Sequence, residues 1–458
     1  MELNGISFEC KNRPILDPDF MPIVQYFRAF SGTADVPFSV ALEGANGEIA
    51  HCDVLVHATP ERYEADCLFL NRLVKTMLWM KGGYRIYVRG EETLCRYLAG
   101  AFAQGGAQDF DYRHMSRLYE HPVEVIRTET LPKESTHPMP MGGFLDGCRI
   151  GFDAGGSDRK VSALKDGECV FSEEVVWFPK TNPDPQYHYD GIVSAFRAAA
   201  AHLPRVDAVG ISSAGTYIQN RTMAASLFLA VPEKAFDESV RDIYIRAVHD
   251  TFGDVPFAVL NDGDVTALAG KMSLGEDNVL GIAMGTSEAG GYVDQNGCIT
   301  GWLNELAFVP VDLQRDAPRD EWSLDIGTGC KYFSQDAVIR LAPRAGIELD
   351  EALSLAEKLK AVQTLVNDGD QRAEKIFLTI GTYLGHTLAF YYDLYHMKHV
   401  LLLGRVMSGR GGELILAEAE RVLREEYPDV ARRIIPALPD EKFRRLGQSA
   451  AAASLPKL

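Results

Sequence analysis

Residues 150–164 read IGFDAGGSDRKVSAL, an apolar run that breaks at Asp153 into two glycines, a serine and a lysine before turning apolar again. The pattern predicts a strand, a glycine turn and a second strand. Consecutive glycines let backbone N–H groups converge on an anion, Ser157 adds a hydroxyl, and Asp153 can hold a water of a metal ion. Two further stretches repeat strand and glycine turn: NVLGIAMGTSEAGGYVDQNGCI at 278–299 and HVLLLGRVMSGRGGE at 399–413. In the last, glycines fall between a buried strand and a helix, where a nucleotide base or ribose can lie flat on the backbone.

Between them stands FAVLNDGDVTALAG, 257–270. A buried strand ending in Asn261-Asp262 at the start of a helix sets a carboxylate where it can accept a proton from an alcohol. The same pair also reads as a helix N-cap. A phosphate cradle, Mg2+ and a base are the parts phosphoryl transfer needs.

The chain has 458 residues, 46% hydrophobic and 24% charged. That length exceeds what one core sustains, so two or three domains are expected. No run approaches the roughly 20 apolar residues of a membrane span. The N-terminus MELNGISFECKNRP lacks the basic start and apolar run of a secretory signal, and the expected compartment is the cytoplasm. A net charge of -18 disfavours nucleic acid as a partner. Eight cysteines without a C-x-x-C pair suggest neither a disulfide framework nor a standard zinc cluster.

Residues 1–127 read as an N-terminal α/β domain. PFSVALEG and HCDVLVHA form a strand pair joined by ANGE, followed by a helix in EADCLFLNRLVKTMLWMKGG, the strand YRIYVRG and the helix EETLCRYLAGAFAQGG. The proline- and glycine-rich stretch after it predicts a linker at 128–147. From 148 to 458 strands and helices alternate, with helices expected at about 190–203, around 235–252 and from near Val265, and with the alanine run 450–453 in a closing helix.

Taken in order, these motifs make residues 148–458 resemble the ROK family of sugar kinases, within the actin/hexokinase/Hsp70 superfamily. DAGGSDRK at 153–160 matches the first phosphate motif, Asn261-Asp262 the catalytic pair, GTSEAGG at 285–291 the second phosphate motif, NELAF at 304–308 the sugar-binding stretch and LLLGRVMSGRGGE the adenosine motif. The resemblance implies a two-lobed, actin-like and ribonuclease H-like ATPase fold with an additional N-terminal α/β domain. It implies ATP and Mg2+ as cofactors, a sugar substrate and Asp262 as general base. Asp153 would position Mg2+ through water. Gly155, Gly156, Ser157 and Lys160, then Gly285, Thr286, Gly404 and Gly409, would contact phosphates and nucleotide, while Asn261 and Glu305 would bind sugar hydroxyls.

The chain also departs from the pattern. Phe308 stands at the family's zinc-binding His, and the loop WSLDIGTGCKYFSQDAV keeps only Gly329-Cys330 of the zinc loop. One cysteine cannot hold a structural zinc, so none is expected there. MAASLF at 223–228 replaces the family's Pro-Asn-Leu, leaving Ser226 or Asn220 for the sugar, and Glu288 brings a carboxylate into the second phosphate turn. Lys160 also reads as a solvent-facing hairpin residue and Glu305 as a strand-end charge. The leading reading is a sugar kinase, and the alternative is a non-catalytic sugar or nucleotide sensor on the same fold. A DNA-binding repressor is disfavoured by the acidic chain and the strands before 145. The N-terminal segment would cover the sugar cleft, form an oligomer interface such as a homodimer, or bind a second ligand.

Overall fold

The computed structural model describes residues 1–458, apart from the side chains of 441–446, as a mixed α/β chain. It divides into two compact units, Met1–His137 with Ile282–Gly290 and Gly301–Leu438, and Pro138–Gly281 with Gly291–Thr300 and Pro439–Leu458. The bounds drawn from composition, 1–127, 128–147 and 148–458, run along the chain, whereas the units interleave it. Among the described residues no helix is long and apolar enough to cross a membrane.

The unit around Pro138–Gly281 is built on a five-stranded sheet in the order Phe257–Asn261, Ala208–Ser213, Cys148–Ala154, Asp158–Lys165, Glu168–Val176. The first three strands are parallel, and the last two return antiparallel. Parallel strands covered on both faces are apolar throughout, and every residue of Cys148–Ala154 and Ala208–Ser213 is buried. One face packs Ile150, Phe152, Val209 and Ile211 against Phe196 and Tyr244 of the helices Pro185–Ala200 and Ile243–Phe252. On the other face the helix Glu441–Ala453 lies on glycine: a Cβ on Gly151 would come within 1.7 Å of Ser449 O, and one on Gly210 within 1.7 Å of Ala452 O. Gly151 and Gly210 are register partners on adjacent strands, so the alanine run 450–453 is a core contact made possible by missing side chains.

Several helix bounds differ from the sequence reading for local reasons. The helix expected at 190–203 starts at Pro185, because Asp184 caps it by accepting from Gln186 N–H and proline fits the first turn. The helix expected near Val265 starts at Asp262 behind the cap residue Asn261. The segment 233–252 is broken by a π turn at Phe236–Val240.

In the other unit, the N-terminal residues form a four-stranded sheet in the order Ile49–Val56, Val36–Glu43, Arg85–Arg89, Glu124–Arg127. The helix Tyr63–Lys81 is buried along most of its length. Its interior charge is paired: Lys75 Nζ lies 2.8 Å from Asp111 and 3.2 Å from Asp325, and the Trp79 indole N–H donates to Asp111 at 2.9 Å. A second sheet runs Glu288–Val293, Val279–Met284, His399–Leu403, Ile435–Ala437, and of its first two strands only residues 282–284 and 288–290 belong to this unit. The helices Gln371–Tyr395 and Gly409–Glu426 approach closely at Gly381 and Gly385, where a Cβ would meet Glu418 Cβ at 2.7 Å and Val422 Cβ at 2.6 Å.

Candidate active site

The parallel strands of the five-stranded sheet end together, and their register decides what meets there. Ser212 pairs with Asp153 and Ser213 with Asn261, so one acid and the start of the Asn-Asp pair stand at neighbouring levels of the carboxyl edge, where open α/β sheets bind ligands. Ser212 Oγ donates to Asp153 Oδ1 at 2.8 Å. Burial raises the Asp153 carboxyl to about 6; the Ser212 bond opposes the shift and the Asp262 charge adds to it.

Asn261 caps the helix Asp262–Leu274: its Oδ1 accepts from Gly263 N–H at 2.7 Å, and its Nδ2 donates to Gly215 O at 2.7 Å. Both ends of its amide are therefore bonded to backbone, which fixes the direction of the adjacent Asp262. Burial lifts the Asp262 carboxyl above the usual carboxylate range, against the pull of Gly263 N–H and the Lys180 ammonium. A half-buried carboxylate with elevated proton affinity is suited to accept a proton.

The turn Gly155-Gly156-Ser157 follows the strand that ends at Ala154. A side chain on Gly156 would collide with Lys180, whose Cε and Nζ lie 2.7 and 3.0 Å from where that Cβ would be. Lys180 thus sits over the turn while also influencing Asp262. Sequence reasoning missed it, because the three-stranded meander returns it over the turn and no local motif marks it. Ser212, at the end of a buried strand in GISSAGT, was also missed. Ser157 Oγ donates to Asp158 at 3.0 Å, and Lys160 Nζ lies 3.4 Å from Asp158 and 4.0 Å from Glu174, an exposed pairing along the hairpin. A divalent cation fits this donor set, since Asp153 is a buried acid made harder to ionise by a second acid and relieved by positive charge.

Asn220, at φ 64, accepts from Val259 N–H at 2.9 Å and donates to Phe257 O at 3.4 Å, so its amide extends the edge strand. Ser226 is exposed at the start of the turn Ser226–Phe228.

In the other unit, Gly285 and Thr286 form the tip of a hairpin, and Gly285 O accepts from Gln335 N–H at 2.9 Å. Thr286 is exposed. Gly404, at φ 98, lies against that hairpin: a Cβ there would be 2.3 Å from Met284 O. Gly409, at φ 65, opens the helix Gly409–Glu426 beside Asn367. Thus four of the expected nucleotide residues share one unit, while Asp153, the glycine turn, Asn261 and Asp262 share the other. Glu305 is half-buried, its N–H bonded to Trp79 O at 3.0 Å. Phe308, at the place of a zinc-binding His in the resemblance, packs on Trp79 at 4.3 Å and Trp322 at 5.3 Å between ring centroids. The Cys330 thiol faces Thr328 and Asp320 at 3.5 and 3.6 Å and is pushed up to about 12 by burial.

Glu288 does not bring charge to the phosphate turn. Its side chain points inward, is 3% exposed, and accepts from Tyr391 Oη at 3.4 Å, while Oε2 faces Gly329. Burial raises it to about 8, so it is neutral at pH 7. The unfolded chain loses this proton near 4.5 and the native state near 8, so stability falls as pH rises between those values. Glu288→Gln is expected to flatten that dependence and gain about 3 kcal/mol at pH 8, read from urea melts of both proteins at pH 5 and pH 8.

Together these features describe a mixed α/β chain. No family model and no curated protein sequence matches it. Solved structures do. A ROK hexokinase from Thermus thermophilus superposes with a TM-score of 0.51 at 20% identity, covering 67% of this chain and 96% of its own. A ROK family glucokinase from Streptomyces griseus, in complex with glucose and AMPPNP, gives 0.50 at 21%, with 67% and 98% covered. A ROK family transcriptional regulator, a homologue of the E. coli MLC protein, gives 0.51 at 18%, with 68% and 78% covered. The fold implied by the sequence resemblance is the fold these proteins have, and about a third of this chain lies outside each superposition.

Proposed function

We propose that this protein is a ROK-type kinase that transfers the γ-phosphoryl group of ATP to a hydroxyl of a sugar or sugar derivative. The observation that carries the reading is Asp262: a carboxylate of raised proton affinity at a helix start, held by the cap of Asn261, at the carboxyl edge of parallel strands. The ordered motifs and the fold shared with a hexokinase and a glucokinase support the sugar as acceptor.

Asp262 takes the proton of the acceptor hydroxyl as its oxygen bonds to phosphorus and the bond to the leaving diphosphate breaks. Lys180 and the N–H groups of 155–157 bind phosphate oxygens, with the end of the lysine side chain lying beside Gly156. Magnesium bound with the nucleotide supplies charge that offsets the phosphate oxygens, and Asp153 is the residue that would hold it. Gly285, Thr286, Gly404 and Gly409 are the proposed nucleotide contacts of their unit, and Glu305 the proposed sugar contact. Asn220 and Asn261 act through backbone bonds, which leaves Ser226 the freer candidate on that side.

The likeness to a ROK transcriptional regulator favours one second reading, a sensor that binds sugar or nucleotide without turnover. Coupled ADP release with MgATP over hexoses, amino sugars and sugar acids, read beside thermal shifts, separates the two. Turnover with at least one acceptor is expected; stabilisation without ADP in every case supports the sensor.

A further inference from the structure

Far along the chain from the phosphate turns, the N-terminal segment is fastened to two C-terminal helices by a group of side chains that the proposed kinase chemistry does not use. Cys10, His386 and Glu426 present a sulfur, a ring nitrogen and a carboxylate oxygen that all lie within 4.8 Å of one another. His386 belongs to the helix Gln371–Tyr395, Glu426 ends the helix Gly409–Glu426, and all three residues belong to the same compact unit. Cys10 and His386 are buried and Glu426 is half-buried.

We propose that Cys10, His386 and Glu426 form a zinc site, with the carbonyl oxygen of Asn12 in the fourth position. The donor set is the first argument: thiolate, imidazole and carboxylate are the ligands zinc takes, and the thiolate selects against magnesium and calcium. Two anionic ligands also neutralise the ion, which a buried site needs. Spacing is the second. Tetrahedral zinc holds sulfur and nitrogen ligands about 3.6 Å apart, and Cys10 Sγ lies 3.7 Å from His386 Nε2. Asn12 O is 3.4 Å from the sulfur and 2.8 Å from the ring nitrogen, so it faces both.

The surroundings of the ligands are the third argument. A metal-bound imidazole is oriented by a hydrogen bond at its other nitrogen, and ligating carboxylates are bonded in turn. His386 Nδ1 lies 2.5 Å from Tyr427 Oη, a hydroxyl able to accept or donate. Glu426 accepts from Gln25 Nε2 at 3.1 Å and from Asn12 N–H at 2.6 Å. In the form described, Asn12 O only accepts, so His386 Nε2 carries a proton. Zinc takes the place of that proton, the ring proton sits on Nδ1 facing Tyr427, and the thiol proton leaves to solvent. The site would clamp residues 10–12 to both helices. It is separate from the family-type loop at Cys330 and does not depend on the kinase reading.

The test is a titration of the full-length, chelator-treated protein with Co2+, which takes zinc sites and absorbs when bound to thiolate. One equivalent is expected to produce a thiolate-to-cobalt charge-transfer band that Zn2+ removes. Cys10→Ser is expected to lose the band and bind the ion at least about 100-fold more weakly. With eight cysteines in the chain, this variant assigns the band to one of them. If Cys10→Ser does not fold, Glu426→Gln is read in its place, with the same weakening expected. No band in the unsubstituted protein, or a band undiminished in a folded variant, overturns the proposal and leaves a hydrogen-bonded network.

Discussion

Asp262→Asn is expected to lower kcat by about 1,000-fold, the range removal of a positioned general base produces, while the fold persists. Asparagine keeps an oxygen to accept from Gly263 N–H, the bond the carboxylate makes at 3.1 Å. Replacing a carboxylate that burial holds above its usual range also removes a source of native-state instability. The thermal midpoint should therefore stay level or rise as turnover disappears. ADP release and a melt on the same preparation check both halves, and turnover within a factor of a few of the parent would remove Asp262 from the base role.

Lys180→Met carries the second large effect. The lysine stands over Gly156 and its charge favours ionised Asp262, so its loss acts twice. Weaker phosphate binding is expected to reduce kcat/KM for ATP by about 100-fold, a loss of about 2.7 kcal/mol of transition-state stabilisation. Removal of positive charge also raises the Asp262 carboxyl further, so the acid limb of the pH–rate profile moves to higher pH. A limb that stays in place would show that the lysine charge does not act on Asp262. Lys180→Arg keeps the charge and should hold the limb in place while restoring part of the lost rate.

How far the sequence discloses this arrangement depends on whether a feature is local. The glycine hairpins and the strand ending at Asn261-Asp262 are legible because turn chemistry, apolar runs and helix capping act within a few residues. The pair Asn261-Asp262 reads both as a cap and as a base, and the capping half is visible in the bond from Gly263 N–H. Asn220 has a residue type suited to sugar hydroxyls, yet its amide pairs with Phe257 and Val259, a choice set by the neighbouring strand. Glu288 reads as a charge in a phosphate turn until its burial beside Tyr391 makes it neutral.

Other features are illegible because the contacts span the chain. Phe308 meets Trp79 of the N-terminal helix, and Cys10 meets His386 at a separation of 376 residues. Cysteine spacing detects a metal site when ligands are neighbours in sequence; a site of one cysteine, one histidine and one glutamate from distant segments leaves no such spacing. Lys180 follows the same logic at shorter range, placed over Gly156 by the strands that intervene. The interleaving of the two compact units has the same origin.

The proposed function is phosphorylation of a sugar hydroxyl with Asp262 as base. The measurement that tests it most directly is mass analysis of a pooled set of hexoses, amino sugars and sugar acids after incubation with MgATP and either the parent protein or Asp262→Asn. One acceptor class is expected to gain a single phosphoryl group with the parent and none with the variant. No phosphorylated product from any acceptor, with folded protein that still binds MgATP, or equal product from both proteins, would contradict it.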